Sequence, residues 1–199
     1  MQLFLDVSGV TTGIFPPFFP NKKCGNKDCS CCNFDPSSIG DFHNYFTYQI
    51  LRLFQTFGTN DPTLAQWTNY MTTQGDTQES AGNLPQGSSQ VIASIISILN
   101  GAMGTSTFAP TIQALAELNQ KTLLDPKFQG TQILTVTSTA YSSALLWSQV
   151  KDQNSGGSFL SIPKWLKLLA ADIGGAIGGA GLGVLGALGG AVCGTLAAS

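Results

Sequence analysis

Residues 173–198 read IGGAIGGAGLGVLGALGGAVCGTLAA, a run of Gly, Ala, Leu, Ile and Val broken only by Cys193 and Thr195 and carrying no charge. As a helix it would be about 39 Å long, enough to cross a hydrocarbon core of about 30 Å with some tilt. Gly175, Gly179, Gly183, Gly186, Gly190 and Gly194 follow one another in steps of four, four, three, four and four, which keeps them on one helix face. This is a glycine zipper. Two G-x-x-x-G-x-x-x-G units leave a stripe without side chains, on which a second helix backbone can approach closely. In water each glycine costs a helix about 0.8–1 kcal/mol relative to Ala, so the segment needs a partner surface or a bilayer. The expectation is a helix, or a helical hairpin turning near Gly181–Gly186, that either inserts and self-associates in a membrane or is buried inside a soluble bundle.

The approach to this run is informative. Ser161 can cap a helix and Pro163 can start it, after a Gly/Ser linker at Lys151–Ser158. Lys164 and Lys167 bracket Trp165 directly before the apolar run, an arrangement that suits a membrane interface and also an ordinary amphipathic helix start. Ten of the 23 glycines lie from Gly174 onward. Residues 161–199 are therefore read as a separate glycine-zipper hydrophobic segment.

Upstream, residues 35–160 read as a helical body. Asp35-Pro36, Asp61-Pro62 and Asp125-Pro126 each offer a capping carboxylate followed by a proline whose missing N–H does no harm, and predict three helix starts. After the first, Ile39, Phe42, Phe46, Ile50, Leu53 and Phe57 form an apolar stripe that ends at Gly58. After the second, Leu64, Trp67 and Met71 continue the period to about Thr73, and 75–88 reads as a loop. Helices are also predicted over Ser89–Asn100, Pro110–Leu124 and Thr131–Val150; the last keeps a helical spacing through Ile133, Val136, Ala140, Ala144 and Trp147 despite its β-prone threonines.

Residues 1–34 read as an extended, cysteine-rich arm. Pro16, Pro17 and Pro20 hold the chain extended, and Cys24, Cys29, Cys31 and Cys32 fall in the pattern C-x4-C-x-C-C. Four thiolates so close together can hold zinc in a tetrahedral site, with Lys22, Lys23 and Lys27 favouring deprotonation and His43 a candidate further ligand. Two disulfides, or free or lipidated thiols, fit the same spacing. Met1–Phe19 has no basic n-region, carries Asp6, and is interrupted by Pro16-Pro17, so it does not match a cleaved signal peptide.

Charged residues make up 10% of the chain, against about 25% in an average soluble protein. Net charge is −2 and Arg52 is the only arginine, which leaves no electrostatic footprint for nucleic acid. His43 is the only imidazole, and no hydrolase, zincin, P-loop or dinucleotide motif is present, so no catalytic residue is assigned and the chain reads as a non-enzyme.

DPSSIGDFHNYFTYQILRL at residues 35–53 resembles the opening of a group of uncharacterised bacterial proteins with Asn/Asp-Pro, then G-x-x-H-N at a helix start, and a Trp/Lys-led, Gly/Ala-rich tail. The matching residues are Asp35, Pro36, Gly40, His43 and Asn44, with Trp165, Ala171, Asp172 and the glycines beyond. The resemblance implies secretion or envelope association. The sequence thus predicts an all-α fold, a helical bundle with a cysteine-rich arm and a glycine-zipper tail. Its expected role is a secreted or envelope-associated, pore-forming or bacteriocin-like protein, with membrane lipid and further copies of itself as partners. The alternative is a soluble structural or assembly subunit that buries the tail within or between protomers.

Overall fold

The computed structural model describes residues 53, 55–59, 61–152, 158–182 and 191, all within the second of two units, Leu53–Ser199. The predicted arm, its cysteines, His43 and most of the first predicted helix lie outside the described residues. Leu53 and residues 55–57 are helical, and Gly58 follows with φ +67°, a left-handed conformation suited to the predicted stop.

The described fold is all-helical apart from one two-residue strand pair. Helix α1 (Leu64–Ser80) starts in a capping box rather than at Asp61: the Thr63 hydroxyl accepts from Gln66 N, and Gln66 Oε1 accepts from Thr63 N. It runs past the predicted end near Thr73 and through Gly75, taking in half of the expected loop. Gly75 is buried where α1 meets α2, and a Cβ there would lie 2.7 Å from Ile92 Cδ1. Close packing between helices outweighs the weak helix propensity of one glycine.

Helix α2 (Ser88–Ala102) buries Ile92, Ile95 and Leu99, the stripe read from the sequence. Its N-cap, Gly87, has φ +89° and no side chain to offer. Glu79 supplies the cap from α1: its Oε1 accepts from Gly87 N at 2.9 Å and its Oε2 from Ser89 N at 2.6 Å. Those two N–H groups hold the Glu79 carboxyl below its ordinary pKa, the Gly87 bond having the larger effect.

Helix α3 (Ala109–Leu124) has Pro110 in its first turn and buries Thr111, Leu115 and Thr122. The Asp125-Pro126 pair begins a 3₁₀ turn, Pro126–Phe128, and not the next helix. Asp125 Oδ1 accepts from Lys127 N at 3.1 Å, so the carboxylate is used up in the turn. Helix α4 (Gln132–Gln149) starts after Thr131 and confirms helix over the threonine-rich segment. Thr137 donates to Asn119 Oδ1 at 2.8 Å, tying α4 to α3.

Where a linker was expected, β1 (Lys151–Asp152) pairs antiparallel with β2 (Ser158–Phe159), in register Lys151 with Phe159 and Asp152 with Ser158. The pairing returns the chain into α5 (Ile162–Gly179), which ends in a 3₁₀ turn, Ala180–Leu182. Consecutive helices are neighbours throughout, and α5 also packs on α1 and touches α2. The described start of the 161–199 segment is therefore built into the same bundle as the body.

Replacing Glu79 by Gln should lower stability at neutral pH by about 0.5–1 kcal/mol, the lower end being expected because the carboxylate is partly solvated. A depressed carboxyl pKa contributes stability above its unfolded value that is lost as pH falls through its folded value. The difference between wild type and variant in urea unfolding should therefore shrink in acid, and a constant difference would mean that the charge is immaterial.

Candidate functional site

The candidate site is α5 itself. An ordinary surface helix buries one stripe, but Trp165, Leu166 and the whole run Leu168–Ile177 are buried, with only Lys167 partly exposed among them. A helix enclosed on every side belongs either to a soluble core or to a membrane. Each buried Leu or Ile contributes about 1.5–3 kcal/mol to holding it in place.

Two faces of α5 meet different chemistry. Toward α1, a Cβ on Gly174 would stand 2.9 Å from Trp67 Cε3, and one on Gly178 would collide with the Tyr70 hydroxyl. A Cβ on Gly181 would lie 2.8 Å from Gln78 Oε1. Gln78 Nε2 donates to the carbonyl of Gly178 at 3.3 Å, and Asn83 Nδ2 donates to Gln78 Oε1 at 2.7 Å. The aromatic surface receiving these glycines is built by Phe57, Trp67 and Tyr70, with ring centroids 4.5 Å apart for Phe57–Trp67 and 5.9 Å for Trp67–Tyr70. Both contacts are edge-on, an arrangement the ring quadrupoles favour.

The close approach to α1 and its following turn uses Gly174, Gly178 and Gly181, the row beside the predicted Gly175 and Gly179. Gly175 is buried and Gly179 partly exposed. The paired glycines at 174–175 and 178–179 were the available signal, since doublets four residues apart make two parallel stripes. Gly183, Gly186, Gly190 and Gly194 lie outside the described residues.

Toward α4, Asp172 is the only charged side chain in the enclosed part of α5, at 5% exposure. Trp147 Nε1 donates to its Oδ2 at 2.8 Å, while its Oδ1 makes no hydrogen bond among the described residues. Burial pushes the carboxyl up to about 6, against the pull of Trp147 and the Ser143 hydroxyl toward the charged form. Because this pKa lies above the ordinary value of 3.8, the stability it contributes is fully present below 3.8 and is lost as pH rises through about 6. At neutral pH the bundle therefore carries an ionised, half-satisfied carboxylate inside its central helix.

The three residues expected at a membrane interface have separate environments. Trp165 is fully enclosed, its Nε1 donating to the carbonyl of Ala144 at 3.2 Å and its ring 4.9 Å from that of Phe108. Lys167 pairs with Asp61, and Lys164 is exposed. In this fold Trp165 thus anchors α5 to α4 and to the start of α3. The indole donor and the apolar ring that would suit a lipid interface suit a buried helix start equally well.

Elsewhere, an open groove of about 850 Å³ runs past Glu79, Gly87, Gln90, Lys121, Asp125 and Lys127. Its charges alternate in sign. Among the described residues no group of three or more His, Cys, Asp or Glu side chains converges on a metal position, and no helix is long and apolar enough to cross a membrane.

The glycine contacts make opposed predictions. Gly174→Ala gains up to about 1 kcal/mol in helix propensity but overpacks Trp67 at a cost of about 1–3 kcal/mol, so it should destabilise in chemical unfolding. Gly101→Ala near the end of α2 meets nothing within 4 Å and should stabilise by up to about 1 kcal/mol. Equal effects of the two would show that α5 does not pack tightly on α1. No family model matches the chain, and no curated protein or solved structure matches it either.

Proposed function

We propose that this protein is a membrane-active factor of the pore-forming or bacteriocin-like kind, secreted or held at the cell envelope, whose helical body carries an apolar segment in sheathed form. The observation behind this reading is the enclosure of α5: a helix buried from Trp165 to Ile177, save Lys167, continues into the uncharged run that extends to Ala198. The body supplies a temporary surface for α5. On a bilayer, lipid would replace α1 and α4 around it, and the glycine stripes would be released for packing between copies of the chain. The resemblance of residues 35–53 and of the tail to bacterial proteins supports placing it at the envelope. The cysteine-rich arm, as a disulfide staple or a zinc site, would stabilise a segment with little core of its own.

A second reading has its own support. Gly174, Gly178 and Gly181 are already engaged by side chains of α1 and its following turn. Glycines used in this way suit a soluble structural or assembly subunit in which the tail never leaves the protein interior.

Flotation of the purified full-length protein with phosphatidylcholine vesicles, with dye release followed in parallel, separates the two. The membrane reading expects co-flotation and leakage, with Gly183→Leu or Gly186→Leu abolishing oligomers and leakage while leaving the far-UV circular dichroism of the body intact. Absence of flotation, with a monodisperse soluble particle, would support the assembly subunit.

A further inference from the structure

We infer that Asp172 makes release of α5 from the body proton-coupled, so that acidification drives the apolar segment from its intramolecular sheath into lipid. The inference deepens the membrane reading and rests on it. Its basis is geometric. Asp172 sits in the middle of the enclosed helix, 5% exposed, with one carboxylate oxygen held by Trp147 Nε1 and the other unpaired among the described residues. Below it in sequence the next charge on the helix is Lys167, five positions away, and above it there is none to the end of the chain. Continued into the uncharged residues that follow it, this helix would enter lipid with that carboxylate as the one charge beyond Lys167.

Among the described residues no counter-charge faces Asp172. Helix α4 contributes Trp147 and Ser143 and contains no charged residue; its only titratable group is Tyr141. Helix α2, which also touches α5, has no charged residue. Helix α1 carries Asp76 and Glu79; Asp76 is exposed, and Glu79 is committed to the N-terminus of α2. On α5 itself Lys167 is paired with Asp61, and Lys164 lies on an exposed position in the first turn. None of these charges contributes to the raised pKa of Asp172, whose causes are burial and the two neutral donors.

The direction follows from proton counting. In the body the carboxyl titrates near 6, whereas in hydrocarbon it must be neutral, so transfer at neutral pH takes up close to one proton. The transfer equilibrium should then rise about tenfold for each pH unit lost between neutrality and 6, and level off below 6. The body need not unfold globally in acid, because protonation of Asp172 also relieves its buried charge. The switch lies between two folded locations of one helix.

The test uses full-length protein and zwitterionic phosphatidylcholine vesicles at constant ionic strength, between about pH 5 and about pH 8. Wild-type binding should rise about tenfold per pH unit from neutrality toward pH 6 and level off below it, and Asp172→Asn, which keeps an acceptor for Trp147, should bind at neutral pH with that dependence removed. Trp147→Phe removes the donor that favours the ionised form, and should move the onset to higher pH. In lipid-free protein the Trp147 indole N–H resonance should titrate near pH 6, which confirms that the group is sensed within the intact body. Vesicle binding with the same pH profile in wild type and Asp172→Asn would overturn the proton switch and leave the membrane reading standing. No binding by wild type at any pH, with the indole titration present, would overturn both.

Discussion

The packing of the bare α5 backbone against the aromatic side chains of α1 is the contact on which the described structure depends. An apolar helix with a Gly-rich second half has little side-chain area with which to hold its place. Leaving out Cβ at Gly174 and Gly178 lets the Trp67 and Tyr70 rings cover the helix backbone directly, so the aromatic residues supply area that α5 lacks. Gln78 then satisfies the Gly178 carbonyl at the edge of the contact. The opposite flank is anchored by polar bonds at both levels of the helix, Trp165 to Ala144 and Trp147 to Asp172. One side of α5 is defined by shape and the other by hydrogen bonds.

This division bears on how firmly the helix is stored. Close packing is lost as soon as the helix moves by an ångström or so, since dispersion falls off steeply with separation. The two indole bonds resist rotation and sliding, but one of them ends on a carboxylate whose charged form is disfavoured by burial. The enclosure is therefore tight and, at neutral pH, conditionally stable. A protein that only needed a solid core would gain from a neutral residue at position 172, which gives the buried acid a meaning in the membrane reading that it lacks in the structural one.

Elements carried by strong periodicity were legible from the sequence. Ile92, Ile95 and Leu99 fixed the buried face of α2, and Ile133, Val136, Ala140 and Ala144 identified α4 against the β preference of its threonines. What failed depended on distant partners. Gly75 looked like the start of a loop because its reason for being helical is Ile92 on another helix. Asp61-Pro62 looked like a cap, but Thr63 and Gln66 make a better one two residues on. The short β pair was hidden in a segment whose Gly and Ser content suggested a linker. At the candidate site, the sequence singled out the apolar helix and one of its two glycine rows, and nothing local tells which of the two meets a tryptophan.

The Glu79 cap orders these contacts in time as well as in space. It joins positions separated by only eight and ten residues, a loop whose closure entropy is small, whereas the Gln78–Gly178 bond spans a separation of 100. Loop closure therefore favours pairing of α1 with α2 early, and that pairing fixes the helix that carries Trp67 and Tyr70. Helix α5, synthesised later, meets a landing surface whose supporting helix can already be in place. During synthesis the most fully enclosed described helix of the chain is thus the one with the least need to wait for its cover.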